Sequence, residues 1–169
     1  TAGAQYNVFI GEGAGATTGN STSATDSNAV LGYNAMFSLT SGAENTAMGR
    51  NALYFNTTGG TNTAMGAYAL LQNTTGTRNT AMGYSALENN KAKQESTAVG
   101  YSAMLYADDT TTAAVTSNTA VGAYALQGST TAANNTGLRN TAVGHSALIA
   151  NTNGSSNTAM GDLALSGNT

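Results

Sequence analysis

Three residue types are missing from this sequence. Its 169 residues include no cysteine, no proline and no tryptophan. Without cysteine there can be no disulfide framework and no zinc site built on thiolates. Charged residues make up only 8% of the chain, whereas a typical soluble domain has about 25%. The net charge is -3 and no basic cluster is present, so neither nucleic acid nor an anionic membrane is an expected partner.

Long apolar runs are also missing. None approaches the roughly 18 residues that a membrane span requires, and no secretory signal is recognisable. We therefore expect no membrane insertion by this segment, and any export or anchoring element would lie outside it. Disorder is not expected either, because 40% of the residues are hydrophobic and they recur at fixed places.

The hydrophobic residues recur because one phrase is repeated along the chain. Its copies begin at Asn7, Asn28, Asn45, Asn62, Asn79, Ser96, Asn118, Asn140 and Asn157. Three copies carry insertions of four or five residues, within Ala16–Ser27, Leu105–Ser117 and Gln127–Arg139. The other copies share one short, fixed period, and a fixed period is typical of a solenoid.

Positions within the repeat, counted from the first residue of each copy as zero, differ sharply in character. Position 3 is always apolar and medium-sized, position 7 is always alanine, and position 8 is leucine or methionine except at Gly15. Position 4 is glycine in every copy, which indicates a turn that needs positive φ or a close backbone approach. Seven of these glycines are predicted structural turns: Gly32, Gly49, Gly66, Gly83, Gly100, Gly122 and Gly144.

These features predict an all-β parallel β-solenoid, or β-roll, of nine coils that forms a single domain over residues 1–169. Each coil would be about 17 residues long. It would contain a strand at Thr-Ala-Met, a turn at glycine, a second strand around Ala-Leu and a return turn near Thr-Thr-Gly. Stacking would then give two parallel sheets. The asparagines at position 0 are expected to form a ladder that joins the coils through their side-chain amides.

Both strands are apolar on both faces, and such strands need two buried environments. One would be the interior of the coil. The other would be another copy of the chain, since nothing else in the sequence could cover it. We therefore expect an obligate oligomer, with small residues such as Ala81 and Ala86 at close subunit contacts.

The repeats resemble those of trimeric fibre proteins. "NTAMGYSAL" (79–87) and "NTAVGAYAL" (118–126) are similar to repeats in the head domains of trimeric autotransporter adhesins. They are closer still to the NTAxGxxAL arrays of phage tail fibres and bacterial surface fibres. The resemblance implies left-handed winding, a homotrimer, and an extracellular location on a cell surface or virion fibre. It also implies that the chain is part of a longer fibre, with a host or prey cell-surface glycan or protein as partner.

Few residues are candidates for chemistry. His145 is the single histidine and no nucleophile–base set is visible, so we expect no enzyme, cofactor or metal site. Asp108 and Asp109 provide two acids where calcium needs six to eight oxygen ligands, and we interpret them as a solvated loop. The candidate partner-binding surface comprises the exposed aromatic and polar positions Tyr33, Tyr84, Tyr101, His145, Asp108 and Asp109.

The sequence therefore favours an adhesive or receptor-binding head or shaft module. The three insertions are its first candidate recognition elements, because loops on a rigid scaffold commonly carry binding residues. A purely structural spacer is an alternative. An ice-binding solenoid is another, suggested by the threonine that recurs at position 1. An ice-binding face, however, would need paired outward threonines, and the neighbour two residues along is the apolar position 3.

Overall fold

The computed structural model describes residues 6–16, 27–106 and 110–168. These residues form a parallel β-solenoid of about eight turns, and they contain no α-helix. The strands are β1 Val8–Ile10, β2 Ala29–Leu31, β3 Thr46–Met48, β4 Thr63–Met65, β5 Thr80–Met82, β6 Lys93–Gln94, β7 Thr97–Val99, β8 Ala114–Val115, β9 Thr119–Val121, β10 Thr141–Val143 and β11 Thr158–Met160. One short 3-10 helix spans Ala132–Asn134.

Nine of the strands form one parallel sheet in the order β1-β2-β3-β4-β5-β7-β9-β10-β11. Equivalent residues of successive copies pair directly, so Ala81 of β5 lies opposite Ala98 of β7. Backbone hydrogen bonds continue the pairing beyond the strand ends, as where Gly49 N–H donates to the Leu31 carbonyl at 2.8 Å. The predicted parallel solenoid is confirmed, and its period follows the sequence repeat.

The central residue of each three-residue strand, which is alanine in all of them except β1 and β2, faces the interior, and its two neighbours face outward. Ala47, Ala64 and Ala81 are fully buried, whereas Met48 and Met82 are each 38% exposed. Alternation of this kind is what a strand imposes on its side chains. The predicted outward apolar face of the first strand is therefore present in the single chain.

The expected second strand around Ala-Leu was wrong, because this segment is a run of turns. Asn51 and Leu53 have φ of 56° and 52°, and the same two positions have similar values in later coils. The alternation of positive and negative φ lets neighbouring residues point the same way, so Ala52 and Leu53 are both fully buried. These two positions therefore create no second outward apolar face. Ala81 and Ala86, expected at subunit contacts, instead lie in the chain's own core.

Burial of leucine offsets the strain at the leucine position of these turns. A left-handed conformation costs a residue with a Cβ about 1–2 kcal/mol, and full burial of leucine contributes about 1.5–3 kcal/mol. Hydrogen bonds between coils support the conformation further, since Leu53 N–H donates to Ala69 O and Leu70 N–H donates to Ala86 O, both at 3.0 Å.

The glycine that ends each strand has φ between 123° and 149° in Gly32 and its equivalents. A Cβ added at Gly83 would lie closer than 3.0 Å to the carbonyl of Gly100 in the next coil. Position 4 therefore needs glycine for both reasons predicted from the sequence, a positive φ and a close backbone approach.

Two asparagine spines run along the rod and join the coils. In the position-0 spine, Asn45 Oδ1 accepts from the backbone N–H of Asn62 at 3.0 Å and from its Nδ2 at 3.1 Å. Asn62 Nδ2 also donates to Gly76 O at 2.8 Å. A second spine follows position 11, where Asn73 Nδ2 donates to Asn56 Oδ1 at 2.8 Å. The predicted ladder is confirmed, and the second spine adds to it.

The strands β6 and β8 form a separate two-stranded sheet at the second insertion. Lys93 occupies position 14, where the other copies without insertions have glycine, and its side chain is buried. Its Nζ donates to Thr110 Oγ1 at 2.8 Å and to Thr112 O at 2.7 Å. The lysine thus holds the described part of the insertion against the rod.

Candidate functional site

An exposed surface runs the length of the sheet and consists of two adjacent columns. The apolar column consists of position 3 of each copy, which is the last residue of the strand. Its side chains are exposed or half-buried in the single chain. The column contains Ile10, Leu31, Met48, Met65, Met82, Val99, Val121, Val143 and Met160.

The second column is aromatic and lies two or three residues further along each coil, beyond the turn glycine. Its neighbouring rings are 5.3 to 6.0 Å apart between centroids. It contains Tyr68, Tyr84, Tyr101, Tyr124 and His145. At one end the guanidinium carbon of Arg50 lies 5.3 Å from the ring centroid of Tyr68, within the range of a cation–π interaction.

The rings of the aromatic column pack against one another. Tyr84 and Tyr101 stack with an interplanar angle of 8°, while Tyr68 and Tyr124 meet them edge to face at 80° and 72°. Such pairs contribute about 0.5–1.5 kcal/mol beyond their burial. Tyr84 and Tyr101 are still 47% and 49% exposed. Stacking covers one ring face of each, because the two rings are nearly parallel with centroids 5.4 Å apart.

The structure brings together three of the six predicted surface residues: Tyr84, Tyr101 and His145. Tyr33 is exposed on the same side of the turn, but Arg50 stands between it and the aromatic column in coil order. Asp108 and Asp109 lie outside the described residues. Tyr68 and Tyr124 are not among those six residues, although the sequence has a signal for them: a tyrosine at position 6 occurs where position 5 is alanine.

His145 has an acidic neighbour in the next coil. Its Nδ1 lies 2.9 Å from Asp162 Oδ1, and the two side chains are 57% and 70% exposed. An exposed pair of this kind contributes about 0–1 kcal/mol at most. The Nε2 of His145 lies 3.5 Å from Ser146 Oγ, which is not within the roughly 2.6–3.2 Å of a nucleophile–base pair. Nor do residues 6–16, 27–106 and 110–168 contain a cluster of three or more His, Cys, Asp or Glu suited to a metal ion.

The second and third insertions lie against each other. The Nδ2 of Asn135 donates to Tyr106 O and to Ser129 O, and its Oδ1 accepts from Ser129 N–H at 2.8 Å. These contacts place the described parts of both insertions on one edge of the rod. Most of the first insertion lies outside the described residues.

Threonine does not form a paired array on the outward face of the sheet. Thr46 and Met48 flank the buried Ala47, and the same threonine–alanine–methionine or threonine–alanine–valine order recurs in later strands. Each outward threonine therefore has an apolar neighbour two residues along.

A second apolar cluster lies around the early coils, where Phe37 and Tyr54 stack at 5.1 Å.

No protein-family model, curated protein or solved structure matches this chain. The resemblance to fibre repeats therefore depends on the repeat phrase alone. Among the described residues no helix is long and apolar enough to cross a membrane.

Proposed function

We propose that this protein is an adhesive or receptor-binding module of a trimeric surface or tail fibre. The exposed apolar column carries the proposal. A row of methionine, valine, leucine and isoleucine along a whole rod is a surface that monomeric soluble proteins rarely leave in water. Three rods around a common axis would cover it, with the aromatic column at the seam. The resemblance supports nine left-handed coils, a threefold assembly and an extracellular location.

Recognition is assigned to the insertions in this proposal. They lie on a rigid scaffold, and Lys93 and Asn135 hold the described parts in place through the hydrogen bonds given above. Loops positioned in this way commonly carry binding residues. The partner would be a cell-surface glycan or protein, and a module that binds nothing would be a spacer in the same fibre.

Assembly is tested by light scattering of the intact chain and two matched variants. We expect a particle with three times the 16.8 kDa mass of the chain. Met82→Lys places a charge in the middle of the apolar column and should shift the mass toward the monomer. Thr58→Lys places the same charge at an exposed position on a different part of the coil and should leave the mass unchanged. A well-folded wild-type monomer of 16.8 kDa would overturn the trimer.

Binding is tested separately, on the assembled protein. A glycan array and a cell-binding assay should give a signal that falls when the insertions are shortened. A signal unaffected by shortening all three would move recognition to the aromatic column. A trimer with no signal in either assay would favour the spacer. Thermal hysteresis in the same preparation would favour the ice-binding alternative.

A further inference from the structure

A column of charged and polar residues precedes the strands of the main sheet. It consists of the residue immediately before each copy, and we call it the leading column. Its members are Tyr6, Ser27, Glu44, Thr61, Arg78, Glu95, Ser117, Arg139 and Ser156. Successive members contact one another along the rod, as where Thr61 Oγ1 donates to Glu44 Oε2 at 3.3 Å. The four charged members are all exposed.

A second column follows the strands, on the other side of the apolar column. It consists of position 5, the first residue after the turn glycine, and we call it the trailing column. Its members are Glu12, Tyr33, Arg50, Ala67, Tyr84, Tyr101, Ala123, His145 and Asp162. Glu12, Arg50 and Asp162 are exposed. In every coil the apolar residue at position 3 therefore lies between a leading and a trailing residue.

The early coils carry opposite charges in the two columns at one level of the rod. Glu44 leads into the coil in which Arg50 trails. Among the described residues neither belongs to a salt bridge, although Arg50 lies over the Tyr68 ring. The two side chains are kept apart within one chain, because strand β3 and its outward Met48 lie between them.

The late coils carry the opposite arrangement. Arg139 leads into the coil in which His145 trails, and Asp162 trails in the next coil with its Oδ1 2.9 Å from His145 Nδ1. Here the leading column is basic and the trailing column has the acid. Between the two ends, Arg78 and Glu95 of the leading column neutralise each other through a contact of 3.0 Å.

A ring of identical rods brings the two columns together. Cyclic symmetry places the same coil of every copy at one level, and it turns one flank of each copy toward the opposite flank of the next. With the apolar columns at the axis, the leading column of one copy faces the trailing column of its neighbour. Acid then meets base at the level of Glu44, and base meets acid near Arg139. In the first coil Glu12 is level with the uncharged Tyr6, so these two positions add no repulsion.

We propose that the leading column of one copy pairs with the trailing column of a second copy of this chain. Glu44 binds the neighbouring copy's Arg50, and Arg139 reaches the neighbouring copy's Asp162, about 4.8 Å further along the rod. The inference rests on the trimer proposed above and adds what aligns its chains. The apolar column is nearly uniform along the rod, whereas complementary charges distinguish one level from another.

Thiol cross-linking tests the contact, because the chain has no cysteine of its own. Glu44→Cys combined with Arg50→Cys, treated with a short bismaleimide, should join three chains into a product of three times 16.8 kDa on a denaturing gel. The control combines Glu44→Cys with Asp162→Cys. It has the same number of thiols in the same two columns, but they are six coils or about 29 Å apart in level, so no such product is expected.

Charge reversal tests the energetics. Glu44→Arg should raise the dissociation constant of the trimer by roughly tenfold or more, because attraction becomes repulsion at three equivalent contacts. Adding Arg50→Glu restores opposite charges and should return the constant to within about threefold of the wild type. Both changes suit the fold, since Arg78 and Glu12 already have these side chains at the equivalent positions. Thr58→Arg, an exposed change outside both columns, should leave the constant unchanged.

The outcomes separate this inference from the proposed function. A wild-type trimer whose Glu44→Cys, Arg50→Cys variant gives no covalent trimer would overturn the column pairing and leave the trimer standing. So would a Glu44→Arg variant that is as tightly assembled as the wild type, or one that Arg50→Glu does not rescue. A wild-type monomer in light scattering would overturn the proposed trimer, and the column pairing with it.

Discussion

Alanine substitutions at four glycines can separate the two reasons why a coil needs glycine, which are a positive φ and a close backbone approach. Gly83 combines a φ of 135° with a Cβ position closer than 3.0 Å to the next coil's backbone. Gly161 has a φ of 123°, but no described atom lies within 4 Å of the added Cβ. At Gly59 a Cβ would collide with Gly76 O in the absence of positive φ, and Gly167 has neither feature among the described residues. Alanine at each position therefore forms a two-by-two series.

The expected costs follow from the two features. A residue with a Cβ held in a sparsely populated backbone region costs about 1–3 kcal/mol. Forcing an extra carbon into a packed contact costs about 1–3 kcal/mol as well. Gly161→Ala and Gly59→Ala should each lose about 2 kcal/mol, and Gly83→Ala about 4 kcal/mol. For a chain of this size each kcal/mol lowers Tm by about 2–4 °C, so Gly83→Ala should melt roughly 8–16 °C below the wild type.

The assay is thermal unfolding followed by circular dichroism, with all four variants at one protein concentration so that any association contributes equally. Gly167→Ala should melt within about 2 °C of the wild type, as expected of an exposed surface change. If Gly83→Ala melted no lower than Gly167→Ala, the close approach between turns would be refuted. Equal Tm values for Gly83→Ala and Gly161→Ala would leave backbone strain as the only cost.

Two further changes probe the asparagine spine and the second insertion. Asn62→Ala removes three buried hydrogen bonds and leaves the Asn79 N–H unpaired, so the free energy of unfolding measured in urea should fall by about 2–4 kcal/mol. The control Asn153→Ala, at an exposed position, should lower it by less than about 0.5 kcal/mol, and equal urea midpoints for the two variants would contradict the role of the spine. Deleting Thr110–Ala114 should destabilise the chain by about 1–3 kcal/mol in thermal unfolding, because the buried side chain of Lys93 loses its hydrogen bonds to Thr110 and Thr112. Adding Lys93→Gly should restore stability, and a deletion as stable as the wild type would show that these contacts contribute nothing.

The period made most of the sheet predictable. Short strands in parallel register follow from the spacing of Thr-Ala-Met, and the turn glycine follows from its constancy. The Ala-Leu segment could not be predicted in the same way. Two neighbouring apolar residues usually imply opposite faces, yet Ala52 and Leu53 share one interior because φ changes sign between them. Leucine rarely adopts positive φ, so its identity pointed away from the observed conformation.

Residues that depart from the repeat consensus also reveal structural features. Phe9 replaces the usual alanine in the first copy, and Gly15 replaces the usual leucine. A Cβ at Gly15 would lie closer than 3.0 Å to the Phe9 ring, so the large residue fills the space that the small one leaves. Lys93 in the glycine position could have marked the following insertion in advance. Only part of the aromatic column was predicted, namely Tyr84, Tyr101 and His145. The stacking of tyrosines from positions 5 and 6 into one column depends on the direction of their side chains, which the sequence does not give.

The near-identity of the central coils has a consequence for folding. A chain that pairs each coil with a copy of itself gains almost the same hydrogen bonds if it slips by one whole repeat. Only unique contacts distinguish the correct pairing from the slipped one. Lys93 with Thr110 and Thr112, and Asn135 with Tyr106, are contacts of this kind, and a slip would break them. The irregular coils therefore act as alignment marks that fix the order in which the regular ones stack.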